Sequence, residues 1–148
     1  MKILVNSKSL ESRKNEYPHV ENASFDDVVS KSDILSFHCK ATSDGKPMLT
    51  KDHMNKMKPT SYIINAARGN IVDENDLNEA LNENLIAGAA LDVFSKEPAK
   101  ENVLFNNPKV ILTPHIAAST SEASIVVAEM VANQIYDYLL SGKKLNTV

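Results

Sequence analysis

The sequence predicts an α/β fold, a parallel sheet carrying helices on its faces, and three observations lead there. Short apolar or β-branched runs alternate with stretches whose apolar residues return at helical spacing, the form a repeated βα unit takes in sequence. The helical stretches open on Ser, Thr or Asp at capping positions. The length, 148 residues with 43% hydrophobic and 24% charged, suits one core rather than two.

In chain order, the first strand is expected at Lys2 to Asn6, followed by a polar surface connection from Lys8 to Asn15. Ser24 and Asp27 sit at capping-box spacing and open a helix through Phe25, Val28 and Val29. A second strand spans Asp33 to Cys39, and Thr50 begins a short helix over Lys51 to Met57 that Pro59 stops. The third strand is Ser61 to Asn65, then Asp73 with Asp76 opens a helix whose core face is Leu77, Ala80 and Leu81. Strands at Ile86 to Val93 and Lys109 to Thr113 follow, joined by the polar stretch Ala99 to Asn107. Ser119 with Glu122 opens the longest helix, through Ile125, Val126, Met130, Ile135 and Leu139 to Gly142, and it is expected to pack along its length. There is no internal repeat and no low-complexity segment.

Composition excludes several function classes. Sixteen Lys and Arg against nineteen Asp and Glu give a net charge of −3, so no basic surface is expected to meet a nucleic-acid backbone. No apolar run reaches the roughly 20 residues that span a bilayer. A single cysteine, Cys39, closes no intrachain disulfide, and the apolar start Met1 to Val5 is too short for a signal peptide, so a reducing cytoplasm is expected.

Ligands of open α/β sheets bind at the carboxyl ends of strands. That rule selects Ser7, Lys40 to Asp44, Ala66 to Gly69, Asp92 to Pro98, and Pro114 with His115. Arg68, Glu97 and His115 each follow a different strand, an arrangement suited to hydride transfer at a 2-keto acid. A guanidinium holds a carboxylate bidentately with a charge that does not titrate. An imidazole gives or takes the proton that accompanies hydride, and a carboxylate on its other ring nitrogen fixes the tautomer and favours imidazolium. Plainer readings stand beside these: a solvated Arg68, a half-buried structural His115, and a Glu97 that merely precedes Pro98 in a turn.

Three motifs separate the readings: Ile64-Asn65-Ala66-Ala67-Arg68-Gly69-Asn70-Ile71-Val72-Asp73-Glu74; Ala87-Gly88-Ala89-Ala90-Leu91-Asp92-Val93-Phe94 with Glu97-Pro98; and Thr113-Pro114-His115-Ile116-Ala117-Ala118-Ser119-Thr120. In this order they resemble the D-isomer-specific 2-hydroxyacid dehydrogenases over nearly the whole chain. The resemblance implies a Rossmann-like sheet, NAD as cofactor with NADP admitted, and a small 2-hydroxy or 2-keto acid as substrate. It implies that Arg68 binds substrate, that Glu97 and His115 form the acid/base pair, and that Asp92 holds the nicotinamide carboxamide. Ser7, Cys39, Lys40, Ala66, Ala67, Arg68, His115, Ala117 and Ala118 would line the cofactor. The stretch from His115 to Ala123 and the later Val131-Ala132-Asn133-Gln134-Ile135 resemble the phosphoglycerate dehydrogenase branch, which oxidises 3-phosphoglycerate to 3-phosphohydroxypyruvate on the way to serine.

Departures from the pattern set further expectations. Lys40-Ala41-Thr42 stands where the family has Pro-Leu-Thr, and Ser7 followed by Lys8 stands where NAD users place an acid on the ribose. Loss of that acid beside a gained cation is how a site admits NADP, and drift leaves the same residues. No GxGxxG occurs in the chain, so the turn that cradles the pyrophosphate is not supplied by these residues. Residues 1–148 are therefore expected to be a partial NAD-binding domain without its first βα unit or a substrate-binding domain. Leu145-Asn146-Thr147-Val148 resembles the point where such chains cross toward that second domain. In the order 3-2-1-4-5-6 the absent strand is central, and the open edges are expected to be filled by a second copy, by a separate N-terminal piece, or by direct pairing of the flanking strands. Alone, the chain is expected to be inactive; the alternative function is a non-catalytic module that dimerises or pairs through its edges.

Overall fold

The computed structural model describes residues 1–145. The chain divides into two units, residues 1–114 and residues 115–148, each described separately below. The crossing expected at the C-terminus falls, from residue 146 onward, outside the described residues.

The first unit is built of parallel strands joined by helices. Its elements are β1 (Ile3–Val5), β2 (Val20–Asn22), α1 (Phe25–Lys31), β3 (Ile34–Phe37), α2 (Lys51–Met54), β4 (Tyr62–Asn65), α3 (Glu74–Asn82), β5 (Gly88–Leu91) and β6 (Val110–Leu112). They form two sheets, β1-β2 and β3-β4-β5-β6, all pairs parallel. Five expected strands are present, β4 shortened at its start and the others at both ends. β2 was not expected: three residues whose side chains are mostly exposed carry no apolar alternation, and β2 exists because β1 supplies the ladder. The direct pairing of the flanking strands does not occur, since β1 and β3 belong to different sheets.

Periodicity decides which sheet face is covered. Along β3 and β4 burial alternates strictly, with Leu35, Phe37, Ile63 and Asn65 inside. Against them pack Val28 and Val29 of α1, Met54 of α2, and Leu77, Ala80 and Leu81 of α3, in one core with Leu49, Ile71, Ala89, Leu91 and Leu104. The register aligns Ser36 with Ile64, Ile64 with Ala90, and Ala90 with Ile111, so these residues share the opposite face, where Ile34, Tyr62, Ile64 and Ile111 are exposed.

The caps hold with one shift of position. Ser24 accepts from the Asp27 N–H, and Asp73 accepts from the N–H groups of Asn75 and Asp76. The Asp76 carboxylate does not return to its own cap. It accepts the Lys51 N–H at 2.8 Å, tying the start of α2 to α3, while Lys51 Nζ bridges Glu83 and Glu79 at 2.7 and 3.0 Å.

The second unit contains α4 (Ser121–Ser141), which ends on Gly142 at φ 67°, the left-handed position a glycine cap provides. Its N-cap is Thr120, which accepts from the Ala123 N–H, one residue beyond the expected Ser119. The expectation that this helix packs along its length is not met: no residue of α4 is buried, although apolar side chains occur all around it.

Two outcomes follow for stability. Asp73→Ala removes the acceptor for two helix N–H groups and is expected to cost about 1 kcal/mol, whereas Leu77→Ala opens a cavity in the core and is expected to cost about 2–5 kcal/mol; urea unfolding of the two variants measures the difference. The hydrogen bond from Lys31, then that from the Ser24 hydroxyl, holds the Asp27 carboxyl below its ordinary pKa, and Lys56 does the same to Asp26. A depressed carboxyl contributes stability above its unfolded pKa and loses it as pH falls through the folded one. The melting temperature should therefore decline on acidification below the usual aspartate range, with a shallower decline in Asp27→Asn.

Candidate active site

The loop after β4 is shaped by one buried side chain. Asn65, fully buried at the end of β4, accepts the Ala67 N–H at 3.1 Å on Oδ1 and donates from Nδ2 to the Arg68 carbonyl at 2.9 Å. Its own carbonyl accepts the Asp92 N–H at 2.9 Å. One residue thus folds the Ala66-Ala67-Arg68 turn and ties it to the end of β5. Arg68 is exposed, and its Nη1 donates to the Ala67 carbonyl at 2.6 Å.

This turn and the segment after β3 enclose an open cleft of about 330 Å³ lined by His38, Cys39, Lys40, Ala66, Ala67 and Arg68. A lysine, an arginine and an imidazole suit it to an anionic ligand, and the small Ala66 and Ala67 side chains leave room for a flat group. The structure so joins Cys39, Lys40, Ala66, Ala67 and Arg68, five of the residues selected from sequence. His38, inside the strand expected from Asp33 to Cys39 and not selected, lines the same cleft; its position near that strand's carboxyl end was the available signal, and its Nε2 meets Ser36 Oγ at 2.9 Å.

Asp92 and Glu97 lie after β5 and do not line the cleft. Asp92 is 6% exposed and accepts a hydrogen bond from Thr113 Oγ1 after β6. Glu97 is exposed, precedes a cis peptide to Pro98, and accepts the Phe94 N–H at 2.9 Å on Oε1. The segment is held from below by Glu74, which accepts from the Ser95 N–H and hydroxyl and from Asn102 Nδ2 at 2.7 to 2.8 Å. Gly69 permits the contact: a Cβ there would lie 1.8 Å from the Phe94 carbonyl oxygen. Asn65, Glu74 and Thr113 were not selected as functional, and Gly69 only as part of the stretch after a strand, because their part is to position neighbours and no chemistry marks such a residue in a sequence.

Ser7 lies after β1, its N–H donated to Asn22 Oδ1 at 3.3 Å and its hydroxyl 3.2 Å from Ser9 Oγ; it does not line the cleft. In the second unit His115 takes φ 56°, a left-handed conformation uncommon outside glycine, and His115, Ala117 and Ala118 are exposed.

Residues 1–117 match the family model described as the D-isomer specific 2-hydroxyacid dehydrogenase NAD binding domain. The chain belongs to the D-isomer-specific 2-hydroxyacid dehydrogenases. It is 42% identical over 119 residues to a D-3-phosphoglycerate dehydrogenase of Bacillus subtilis strain 168, covering 80% of this chain and 23% of that protein. It is 43% identical over 121 residues to a glyoxylate reductase of Thermofilum pendens, covering 80% of this chain and 35% of that protein. Among solved structures, an acyclic imino acid reductase in complex with NADPH and D-Arg is similar at a TM-score of 0.86 and 31% identity, over 100% of this chain and 46% of that one. The chain thus spans under half the length of these relatives. Its Rossmann-like fold and its NAD-binding character are those of the dehydrogenase family, and none of the described helices is long and apolar enough to cross a membrane.

Substitution tests the two positioning contacts of this dehydrogenase domain. Gly69→Ala forces a Cβ into the Phe94 carbonyl and is expected to cost about 1–3 kcal/mol, with displaced NMR amide signals at Phe94 and Ser95. Asn65→Ala leaves the Ala67 N–H and Arg68 carbonyl without their partner, at about 1–3 kcal/mol, and should loosen the Arg68 turn while the β3-β4-β5 amides stay protected from exchange.

Proposed function

We propose that the chain is the catalytic-residue-bearing part of an NAD(P)-dependent 2-hydroxyacid dehydrogenase that oxidises 3-phosphoglycerate to 3-phosphohydroxypyruvate. The observation that carries the reading is the Asn65-braced turn, which sets Arg68 in a cationic cleft at the carboxyl ends of parallel strands. The cleft's size and charge fit part of a phosphate-bearing dinucleotide, with Cys39, Lys40, Ala66 and Ala67 as its walls. When bound, the nicotinamide group would supply the hydride acceptor. Arg68 pairs with the substrate carboxylate and polarises the reacting C–O bond. His115 removes the hydroxyl proton as hydride leaves, and Glu97 orients the ring and stabilises the imidazolium. Asp92, fixed by Thr113, holds the carboxamide. Ser7, Ala117 and Ala118 contribute to the cofactor's surroundings, with NADP admitted beside NAD. In this reading the chain takes part in serine formation in a cytoplasmic setting.

Residues 1–148 form a partial NAD-binding domain in this reading, and substrate selection and pyrophosphate anchoring are supplied by other residues. A second reading, a non-catalytic module that dimerises or pairs through strand edges, is favoured by the open edges of β1 and β3; micromolar binding of NADH by the isolated chain, followed by fluorescence, would count against it.

Grafting this chain into the Bacillus subtilis relative in place of its matched stretch tests the dehydrogenase reading. Oxidation of 3-phosphoglycerate within about tenfold of the host is expected, a barrier change of about 1.4 kcal/mol. His115→Ala in the graft should lower kcat by about 10²–10⁴-fold, and Arg68→Lys should not restore the loss caused by Arg68→Ala, because an ammonium lacks the bidentate fork. A folded graft that reduces glyoxylate but leaves 3-phosphoglycerate untouched overturns the substrate assignment; inactivity on both overturns the dehydrogenase reading.

A further inference from the structure

Residues 92–109 join β5 to β6 with no helix or strand between them, and Glu97 sits within that connection, so no ladder holds its backbone. A side chain from the segment after β4 reaches across instead. Half-buried Glu74 accepts the Ser95 N–H at 2.7 Å on Oε1, and on Oε2 it accepts both the Ser95 hydroxyl and Asn102 Nδ2 at 2.8 Å. Ser95 and Asn102 stand at the two ends of the stretch that carries Glu97, so a single carboxylate closes its neck. Asn102 is anchored in turn, its Oδ1 accepting the N–H of the fully buried Leu104 at 3.0 Å.

From Glu74 to Glu97 the path is a single peptide unit. The Ser95 N–H goes to Glu74, and the N–H before it, that of Phe94, goes to Glu97 Oε1 at 2.9 Å. Two carboxylates thus hold consecutive N–H groups of one backbone. The peptide between Phe94 and Ser95 also packs on Gly69, where a Cβ would lie 1.8 Å from the Phe94 oxygen and 2.5 Å from the Ser95 nitrogen. Turning that peptide would break the bond to Glu74, and the Phe94 N–H would turn with it. The edge contact of Phe94 with Phe105, ring centres 6.1 Å apart, crosses the same neck but leaves both N–H groups unaimed. Charge makes Glu74 hard to replace: an ionised carboxylate accepts at both oxygens, as the donors from Ser95 and Asn102 require, and its hydrogen bonds are shorter and stronger than those of a neutral acceptor. An amide of the same shape must turn its NH2 toward one of those donors.

We propose that Glu74 is a positioning residue for Glu97: by clamping Ser95 to Asn102 it aims the Phe94 N–H and, through it, the Glu97 carboxylate. This deepens the dehydrogenase reading and rests on it for one point, that Glu97 works on the proton-transfer side of the reaction. Residues 68–74 then do two things at once. They carry Arg68 at one end, and through Gly69 and Glu74 they set where the backbone before Glu97 lies, so the spacing of the two groups is fixed by one short segment.

The clamp is tested first in the full chain by amide hydrogen exchange. Glu74→Gln should speed exchange at Phe94 and Ser95 while the β3-β4-β5 amides stay protected, and Asn102→Asp should do the same by setting two carboxylates face to face. Combining Glu74→Gln with Asn102→Asp reverses donor and acceptor across the neck and should recover the protection. Unchanged exchange at Phe94 and Ser95 in both single variants overturns the proposal, as does a combined variant no better protected than Glu74→Gln alone. The effect on Glu97 is then read in the graft into the Bacillus subtilis relative. There Glu74→Gln should lower kcat about 10- to 100-fold, the scale of a small misplacement at a reacting centre, with the KM for 3-phosphoglycerate nearly unchanged. In a graft already carrying Glu97→Gln, the same substitution should add nothing, because residues acting as one unit are not additive. Equal losses in both backgrounds mark a merely structural residue and overturn the proposal. An unaltered graft inactive on both acids sinks the dehydrogenase reading and the role given to Glu97 together, while the exchange measurements on the full chain still decide the clamp.

Discussion

The buried amide of Asn65 is the constraint on which the site depends. An amide enclosed in apolar surroundings must find partners for both ends, since leaving one unsatisfied costs about as much as several surface contacts contribute. Asn65 meets that demand within its own turn, taking the Ala67 N–H and giving to the Arg68 carbonyl, while its main chain stays in the ladder with Asp92. The geometry of the turn therefore follows from burial. β4 places Asn65 on the covered face because residues two apart share a face, and Ile63 before it is fully enclosed. Arg68 is consequently presented from a fixed backbone although its side chain is exposed, and a guanidinium held this way can pair with an anion at little cost in backbone order.

A second layer of support joins strands to strands. Gly69 and Glu74 both come from the segment between β4 and α3, and both act on the segment after β5: one by leaving space for the Phe94 carbonyl, the other by accepting from Ser95 and Asn102. Glu74 also stands in the first turn of α3, where a negative charge is favoured by the helix dipole. The contacts of β5's loop are thus set by residues some twenty positions earlier. Mobility at either segment would reach both Arg68 and Glu97.

How much of this was legible depended on the range of the interaction. α1 and α3 were readable because a cap and an apolar stripe are local, and Ser24 and Asp73 took the expected cap positions. β3, β4 and β5 were readable as apolar runs, with ends that frayed by one or two residues. β2 was not, since Val20 to Asn22 form a strand only through bonds to β1. The cap of α4 moved from Ser119 to Thr120 because adjacent hydroxyl residues carry equal local signals, and α4's packing misled because a helix apolar on all sides does not state which side is core. At the site, Arg68, Lys40 and the alanines were legible as chemistry at strand ends. Asn65 was not, since its amide is made to find partners only by burial, and Glu74 was not, since Ser95 and Asn102 lie across the fold; Gly69 fell within the selected stretch, but its approach to Phe94 was not legible.

The pattern of coverage also bears on stability. A domain of this size buries a smaller share of its surface than a full dehydrogenase, and here one sheet face and two strand edges contribute exposed apolar area instead of core. The enclosed residues, Leu49, Met54, Ile63, Ile71, Leu77 and Leu81, all lie on the α1-α2-α3 side. The local stability of the unit is therefore asymmetric: β4 and β5, bonded on both edges and packed on α3, open last, while β1-β2, bonded only to each other, open first. The carboxyl ends of β4 and β5 carry Arg68, Asp92 and Glu97, and the end of β1 carries Ser7. The half whose strands are bonded on both edges is thus the half that carries Arg68 and Glu97, while Ser7 follows a strand bonded on one edge.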